Sequence, residues 1–179
     1  MITPGHSTPA ARSAATVSAV WLSVPNPAAA GRPYALLQFG TVLEDGEDLR
    51  SQALLDRAGH GLAVVFHAMY ERMGADAMLE LPGGPEWVAA INAIPPAERH
   101  LVTHEGHLVR LTAVDQEAVR IAADLLPQFT FTGTPAQLRE RVAEYEAGGV
   151  TELVYQPAGP DVAGELARMM EAVGAAAER

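Results

Sequence analysis

The last third of the chain most tightly constrains how it can fold. Thr134-Pro135-Ala136-Gln137 has the form of a capping box, with a threonine oxygen for the third amide and a glutamine reaching back. Pro135 falls at the first helical position, where its fixed φ suits the turn. Leu138, Val142 and Tyr145 then recur on one side of a helix reaching about Ala147. Arg139, Glu140, Arg141 and Glu144 fall on the other side. Gly148-Gly149 supplies a left-handed C-cap. Val150 to Tyr155 reads as a strand, and Pro160-Asp161 opens a final helix to about Val173. Helix, strand and helix in close succession are the rhythm of a parallel α/β protein.

The earlier sequence fits that class. Tyr34 to Leu43 is an apolar run interrupted by Gln38 and Gly40, as expected of a strand buried on both faces. Val17 to Val24 is a further strand candidate, ended by Pro25-Asn26-Pro27. Leu62 to Met73 predicts a helix that carries His67 and Tyr70 three residues apart. Pro82-Gly83-Gly84-Pro85 punctuates the chain, and a helix is expected over Glu86 to Ile94, stopped by Pro95-Pro96. A short extended segment is expected within Leu101 to Leu111, an amphipathic helix over Ala113 to Leu126, and extended backbone from Phe129 to Thr132. Residues 1–16, rich in Ser, Thr, Pro and Ala, read as a flexible lead without the apolar core of a secretory signal. Residues 17–179 read as one domain.

Composition removes several function classes. Among 179 residues, 22 are acidic and 12 are Lys or Arg, giving a formal charge of −10. An acidic surface without a basic stretch repels phosphate backbones, which argues against nucleic-acid binding. With no cysteine, the chain has no disulfide, thiolate metal site or thiol nucleophile, as suits a cytoplasmic protein. The longest apolar candidate for a membrane span, Gly61 to Met69, is broken by His67 and far too short, so no membrane insertion is expected. No nucleophile elbow, phosphate loop or complete dinucleotide fingerprint is present.

Several segments, taken in order, resemble the C-terminal end of the luciferase-like monooxygenases. They are Thr130-Phe131-Thr132-Gly133-Thr134-Pro135, the following helix, Ala147-Gly148-Gly149-Val150-Thr151-Glu152-Leu153-Val154 and the closing helix. Residues 36–48, Glu98-Arg99-His100-Leu101, His104-Glu105-Gly106-His107-Leu108 and residues 155–161 are similar to one actinobacterial-type branch. The resemblance spans roughly Tyr34 to Val173. It implies an α/β chain made of the later units of a (β/α)₈ barrel, that is, a partial TIM-barrel-like fold. It also implies oxidoreduction of a small-molecule substrate with FMN or an 8-hydroxy-5-deazaflavin. Complete barrels take about 250 residues, so the front half is expected to be missing. The half-barrel would then work as a homodimer, pair with another barrel subunit, or persist as a remnant.

Candidate site residues follow from that reading. Gly40 and Thr41 close the Tyr34–Phe39 run, where a small residue at a barrel rim lets a flat ring approach; a plain strand exit accounts for them equally. Gln156 holds the matching place after the later strand. His100, His104, Glu105 and His107 form a cluster with three readings: a metal site, ordinary hydrogen-bonded histidines, or pocket lining by His104 or His107. The spacing misses the helical zinc pattern, and Gly106 disfavours a regular helix, so no metal is assigned. The resemblance favours His104 and His107 as cofactor or substrate contacts. No catalytic residue stands out, because a flavin carries the hydride chemistry itself. Two other functions fit the same residues: a non-catalytic half-barrel that acts as an interaction subunit, and a small metal-binding protein.

Overall fold

The computed structural model describes residues 33–106 and 108–174. The Val17–Val24 strand, the 1–16 lead and His107 lie outside the described residues. The chain is mixed α/β and mostly helical. It begins with β1 (Ala35–Phe39), then the short α1 (Gln52–Leu54) and a π-helical turn (Leu55–Gly59) that leads into α2 (His60–Met73). There follow α3 (Ala75–Met78), α4 (Gly84–Asn92), α5 (Arg99–Thr103), α6 (Ala113–Ile121), a 3-10 turn (Ala123–Leu125) and α7 (Leu126–Phe129). The chain closes with α8 (Pro135–Ala147), β2 (Glu152–Gln156) and α9 (Val162–Gly174).

Local chemistry explains most of these boundaries. Both halves of the expected capping box at Thr134 and Gln137 form at the start of α8. At its other end Gly149 takes φ 89°, with Gly149 N–H bonding Glu146 O and Val150 N–H bonding Tyr145 O. That is a Schellman closure, and it requires a residue that tolerates the left-handed region. A second capping box, Thr112 with Asp115, starts α6. The 101–111 segment departs from expectation. It begins as α5 and continues through turns, with Gly106 and Leu108 at positive φ instead of extended backbone. The 113–126 helix is also shorter than expected: α6 stops at Ile121, and a 3-10 turn carries the chain into α7 at Leu126.

β1 and β2 pair in parallel, with Leu37 opposite Val154 and Phe39 opposite Gln156. On the other edge of β1, residues 131–133 run alongside. Phe131 N–H donates to Phe39 O, Gly133 N–H to Thr41 O, and Leu43 N–H to Gly133 O, and a parallel bridge joins Val42 and Gly133. The spatial order is therefore 131–133, β1, β2, with the earliest strand in the middle. In a closed barrel consecutive strands are neighbours; here β1 separates two consecutive ones.

Two apolar cores flank this seam. The larger gathers Leu54, Leu62, Phe66, Met78, Trp87, Ile91, Val119 and Leu126 from the helices between the strands. The smaller joins Val42, Phe131, Leu138, Met169 and Ala172, with Leu153 and Tyr155 of β2 packed against it. The expectation of a strand buried on both faces is corrected for the body of β1. Leu37 is 49% exposed and its partner Val154 42%, because α8 and α9 cover the opposite sheet face, which carries Leu153 and Tyr155. Full burial begins only at Gly40, Thr41 and Val42.

The seam depends on Gly40. A Cβ placed there would lie 2.2 Å from the Phe131 carbonyl oxygen, a backbone atom that cannot swing aside. Gly40→Ala should lower unfolding stability by ~2–3 kcal/mol in urea titrations, as overpacked core positions do. A change below ~0.5 kcal/mol, the usual scatter of surface substitutions, would show that the seam is not packed this tightly.

Candidate functional site

Three of the nominated residues, Gly40, Thr41 and Gln156, meet at one rim formed by the C-terminal ends of β1 and β2. Parallel register places Phe39 beside Gln156, so the segments after both strands leave from the same end of the sheet. Most polar groups at this rim are turned to the protein's own use. The space beside Gly40 is filled by the Phe131 backbone, which supports the strand-exit reading of that glycine. The Gly40 carbonyl accepts from Tyr155 Oη at 2.9 Å, and burial pushes the Tyr155 phenol up to about 12, so it remains a donor.

Thr41 is fully buried. Its Oγ1 donates to Glu165 Oε2 at 2.7 Å, and its N–H donates to Thr132 Oγ1 at 3.3 Å. Glu165, buried in α9, also pairs with Arg57 Nη1 at 3.6 Å and with Arg168. Arg57 in turn meets Glu47. Two guanidiniums and a hydroxyl thus compensate a carboxylate taken out of water, and removing any one would leave a buried charge short of a partner. Gln156 Nε2 donates to Leu108 O at 2.9 Å, holding a loop residue that sits at φ 65°, a conformation costly for leucine. The Oε1 of Gln156 accepts no bond among the described residues.

His104 joins a different group. Its Nε2 lies 2.6 Å from Glu71 Oε1, and its ring stands edge-on to His67 at 5.9 Å. His67, buried on α2, places Nε2 2.9 Å from Asp115 Oδ1. The same oxygen accepts from Trp87 Nε1 at 2.9 Å, and Asp115 Oδ2 accepts from Thr112 Oγ1 at 2.7 Å. A carboxylate only accepts, which makes His67 Nε2 the donor. Burial raises the Asp115 pKa, but His67, Thr112 and Trp87 together outweigh it, leaving the carboxyl below the usual carboxylate range. Among the described residues no three histidine or carboxylate side chains converge as metal ligands.

His60 escaped the sequence reading. It follows the π-helical turn, a feature frequent at functional sites, and stands edge-on to Phe39 at 5.7 Å. It is 2% exposed, and neither ring nitrogen meets a protein partner. Burial alone lowers its pKa to about 4, so the imidazole is neutral at pH 7. Its only sequence signal is a histidine placed just before the apolar helix Leu62 to Met73. The buried Asp115 could have been inferred from Thr112-x-x-Asp115, which has capping-box form.

No family model, no curated protein and no solved structure matches this chain. No helix among the described residues is long and apolar enough to cross a membrane.

His60 and Asp115 both have depressed folded pKa values, so each contributes stability above its unfolded pKa and loses it as pH falls through the folded one. For His60 that window runs from 6.5 down to about 4. The loss should approach ~3 kcal/mol at ~1.4 kcal/mol per unit, and Asp115 should extend the decline below it. Unfolding titrations across that range should slope downward with falling pH, and His60→Leu should flatten the upper part. An unchanged slope in the variant would mean that His60 titrates normally.

Proposed function

We propose that this chain is a flavin- or deazaflavin-handling oxidoreductase unit of the luciferase-like kind, its βα units corresponding to the later part of a (β/α)₈ barrel. The observation that supports a ligand site is the reversal of strand order at β1; because that is not barrel order, the correspondence with barrel units rests on the sequence resemblance alone. In open α/β sheets, ligands sit outside the carboxyl ends of the strands at such a switch point. The ends of β1 and β2 form that rim here, and the Oε1 of Gln156 accepts no bond among the described residues. A bound flavin or deazaflavin supplies the hydride chemistry. Gln156 would accept a hydrogen bond from a ring N–H, and the buried neighbours Thr41, Glu165 and Arg57 would hold the rim rigid. The contacts offered by this chain are few. Gly40, Thr41 and His104 are already engaged within the protein, so the proposal includes further strands, from a second copy or another barrel subunit, that complete the site. A small-molecule substrate and a cytoplasmic location belong to the same proposal.

A second reading is favoured by that internal engagement: a non-catalytic interaction subunit. Leu37, Val154 and the α9 stripe Val162, Leu166 and Met170 present apolar side chains to solvent, as a surface for another protein would.

Titrating the full chain with FMN and, separately, with the deazaflavin while following ligand fluorescence tests the first reading. Saturable micromolar binding is expected, weakened about 5-fold by Gln156→Leu, the equivalent of one lost neutral hydrogen bond of ~1 kcal/mol. A folded sample that binds neither cofactor would favour the second reading.

A further inference from the structure

The edge of β1 that faces away from β2 is only partly used. Tyr34 O accepts from the Thr151 and Glu152 amides on the β2 side. Backbone groups of successive strand residues alternate between edges, so Leu37 and Phe39 direct theirs to the opposite edge. There the Phe39 carbonyl is taken by Phe131 N–H, while the Leu37 N–H, the Leu37 C=O and the Phe39 N–H have no partner among the described residues. This edge lines a cleft of about 370 Å³, with Phe129 and Thr130 at one end.

The walls of the cleft differ in chemistry. Gly61 of α2 packs on the Phe39 side chain, so closely that an added Cβ would lie 3.0 Å from the Phe39 Cβ. Val64 and Val65 continue that wall, and the face of β1 carrying Leu37 and Phe39 is thus bounded by apolar groups. Gln38 points to the other face, because strand residues alternate, and there α8 contributes Arg141, Glu144 and Tyr145. Arg141 Nη1 donates to Thr130 O at 2.6 Å, and Nη2 donates to Pro127 O. Two neutral carbonyls fix the guanidinium without neutralising it. Neither Arg141 nor Glu144 forms an ion pair among the described residues. The polar wall therefore holds a positioned cation near Thr130 and a carboxylate three residues on, ~4.5 Å further along the helix axis.

A row of unpaired strand donors and acceptors is matched by another extended backbone. Alternate side chains of that backbone meet different walls: apolar ones reach Val64 and Val65, polar ones reach Gln38 and α8. Same-face side chains of a strand are ~6.7 Å apart, so one acidic and one basic residue, two positions apart, span Arg141 and Glu144. Edge-to-edge pairing with a second β1 does not supply them, since Ala35-Leu36-Leu37-Gln38-Phe39 has no charge.

We propose that this cleft is a β-augmentation site for an extended segment of a partner protein. The segment alternates apolar and charged residues, with an acidic side chain at Arg141 and a basic one at Glu144. The inference is independent of any cofactor.

NMR titration of the full chain with two amide-capped peptides, Val-Glu-Val-Lys-Val and Val-Lys-Val-Glu-Val, tests it; the two charge orders cover both strand directions. At least one should bind saturably with a Kd of about 1 mM or tighter and shift the Leu37 and Phe39 amides. In that peptide, methylating the backbone nitrogens of one alternate set of residues should abolish binding, and methylating the other set should not, because only one set faces β1. Glu144→Lys, at an exposed position, should weaken the Lys-bearing peptide ~2–5-fold and tighten Val-Glu-Val-Glu-Val by a similar factor, the size of an exposed ion pair. In the unliganded chain the Leu37 and Phe39 amides should exchange within ~10-fold of the unstructured rate. Failure of both peptides to bind would overturn the proposal, as would binding indifferent to methylation or to Glu144→Lys. Slow exchange in the unliganded chain would also overturn it, assigning the edge to the chain's own residues if independent of protein concentration and to a second copy if it grows with concentration.

Discussion

The architecture depends on one close approach, that of the Phe131 backbone to Gly40. The larger core is built almost wholly from residues between β1 and Phe129, and the smaller one from Val42, Phe131 and the elements that follow. They meet where Phe131 N–H bonds Phe39 O at 2.6 Å, and any side chain at position 40 would push that bond apart. With 131–133 against one edge of β1, the α8 crossover brings β2 to the other edge, where it pairs in parallel. The Thr41–Glu165 bond then ties α9 to the same seam from below.

This constraint explains what the sequence could and could not disclose. Elements set by local chemistry were legible: the Thr134 cap, the Pro135 start, the double-glycine stop, the strand after it, and the helix carrying His67. Each is decided by residues within a turn or two of one another. The misreadings are non-local. Leu101 to Leu111 has extended-looking composition, yet Gly106 and Leu108 take positive φ and Arg99 anchors the preceding turn through the Asn92 and Ile94 carbonyls. The inward turn of Arg141, expected on the outer face of α8, depends on the Thr130 and Pro127 carbonyls brought beneath it. Strand order is invisible to periodicity, because β1 presents the same pattern whichever neighbour lies on each edge.

The candidate site divides in the same way. Position at a strand end was enough to bring Gly40, Thr41 and Gln156 to one rim. Their roles required the partners. Gly40 is small because of Phe131, Thr41 is polar because of Glu165, and Gln156 holds the Leu108 carbonyl. The histidines invert the expectation. His104, nominated as a cofactor or substrate contact, belongs with Glu71 and His67. His60, overlooked, and His67, noted only for its place on the helix, are the buried imidazoles whose surroundings are specialised. His67 is locked as a donor to Asp115, whereas His60 is kept neutral by desolvation.

The strand order is the claim on which the rest stands, and interstrand proton contacts measure it directly. In isotope-labelled full-length protein, NOEs between backbone protons should connect Leu37 with Val154 on one edge of β1 and Phe39 with Phe131 on the other. Direct NOEs between residues 131–133 and 152–156, with none from either to β1, would contradict the account and put the consecutive strands side by side.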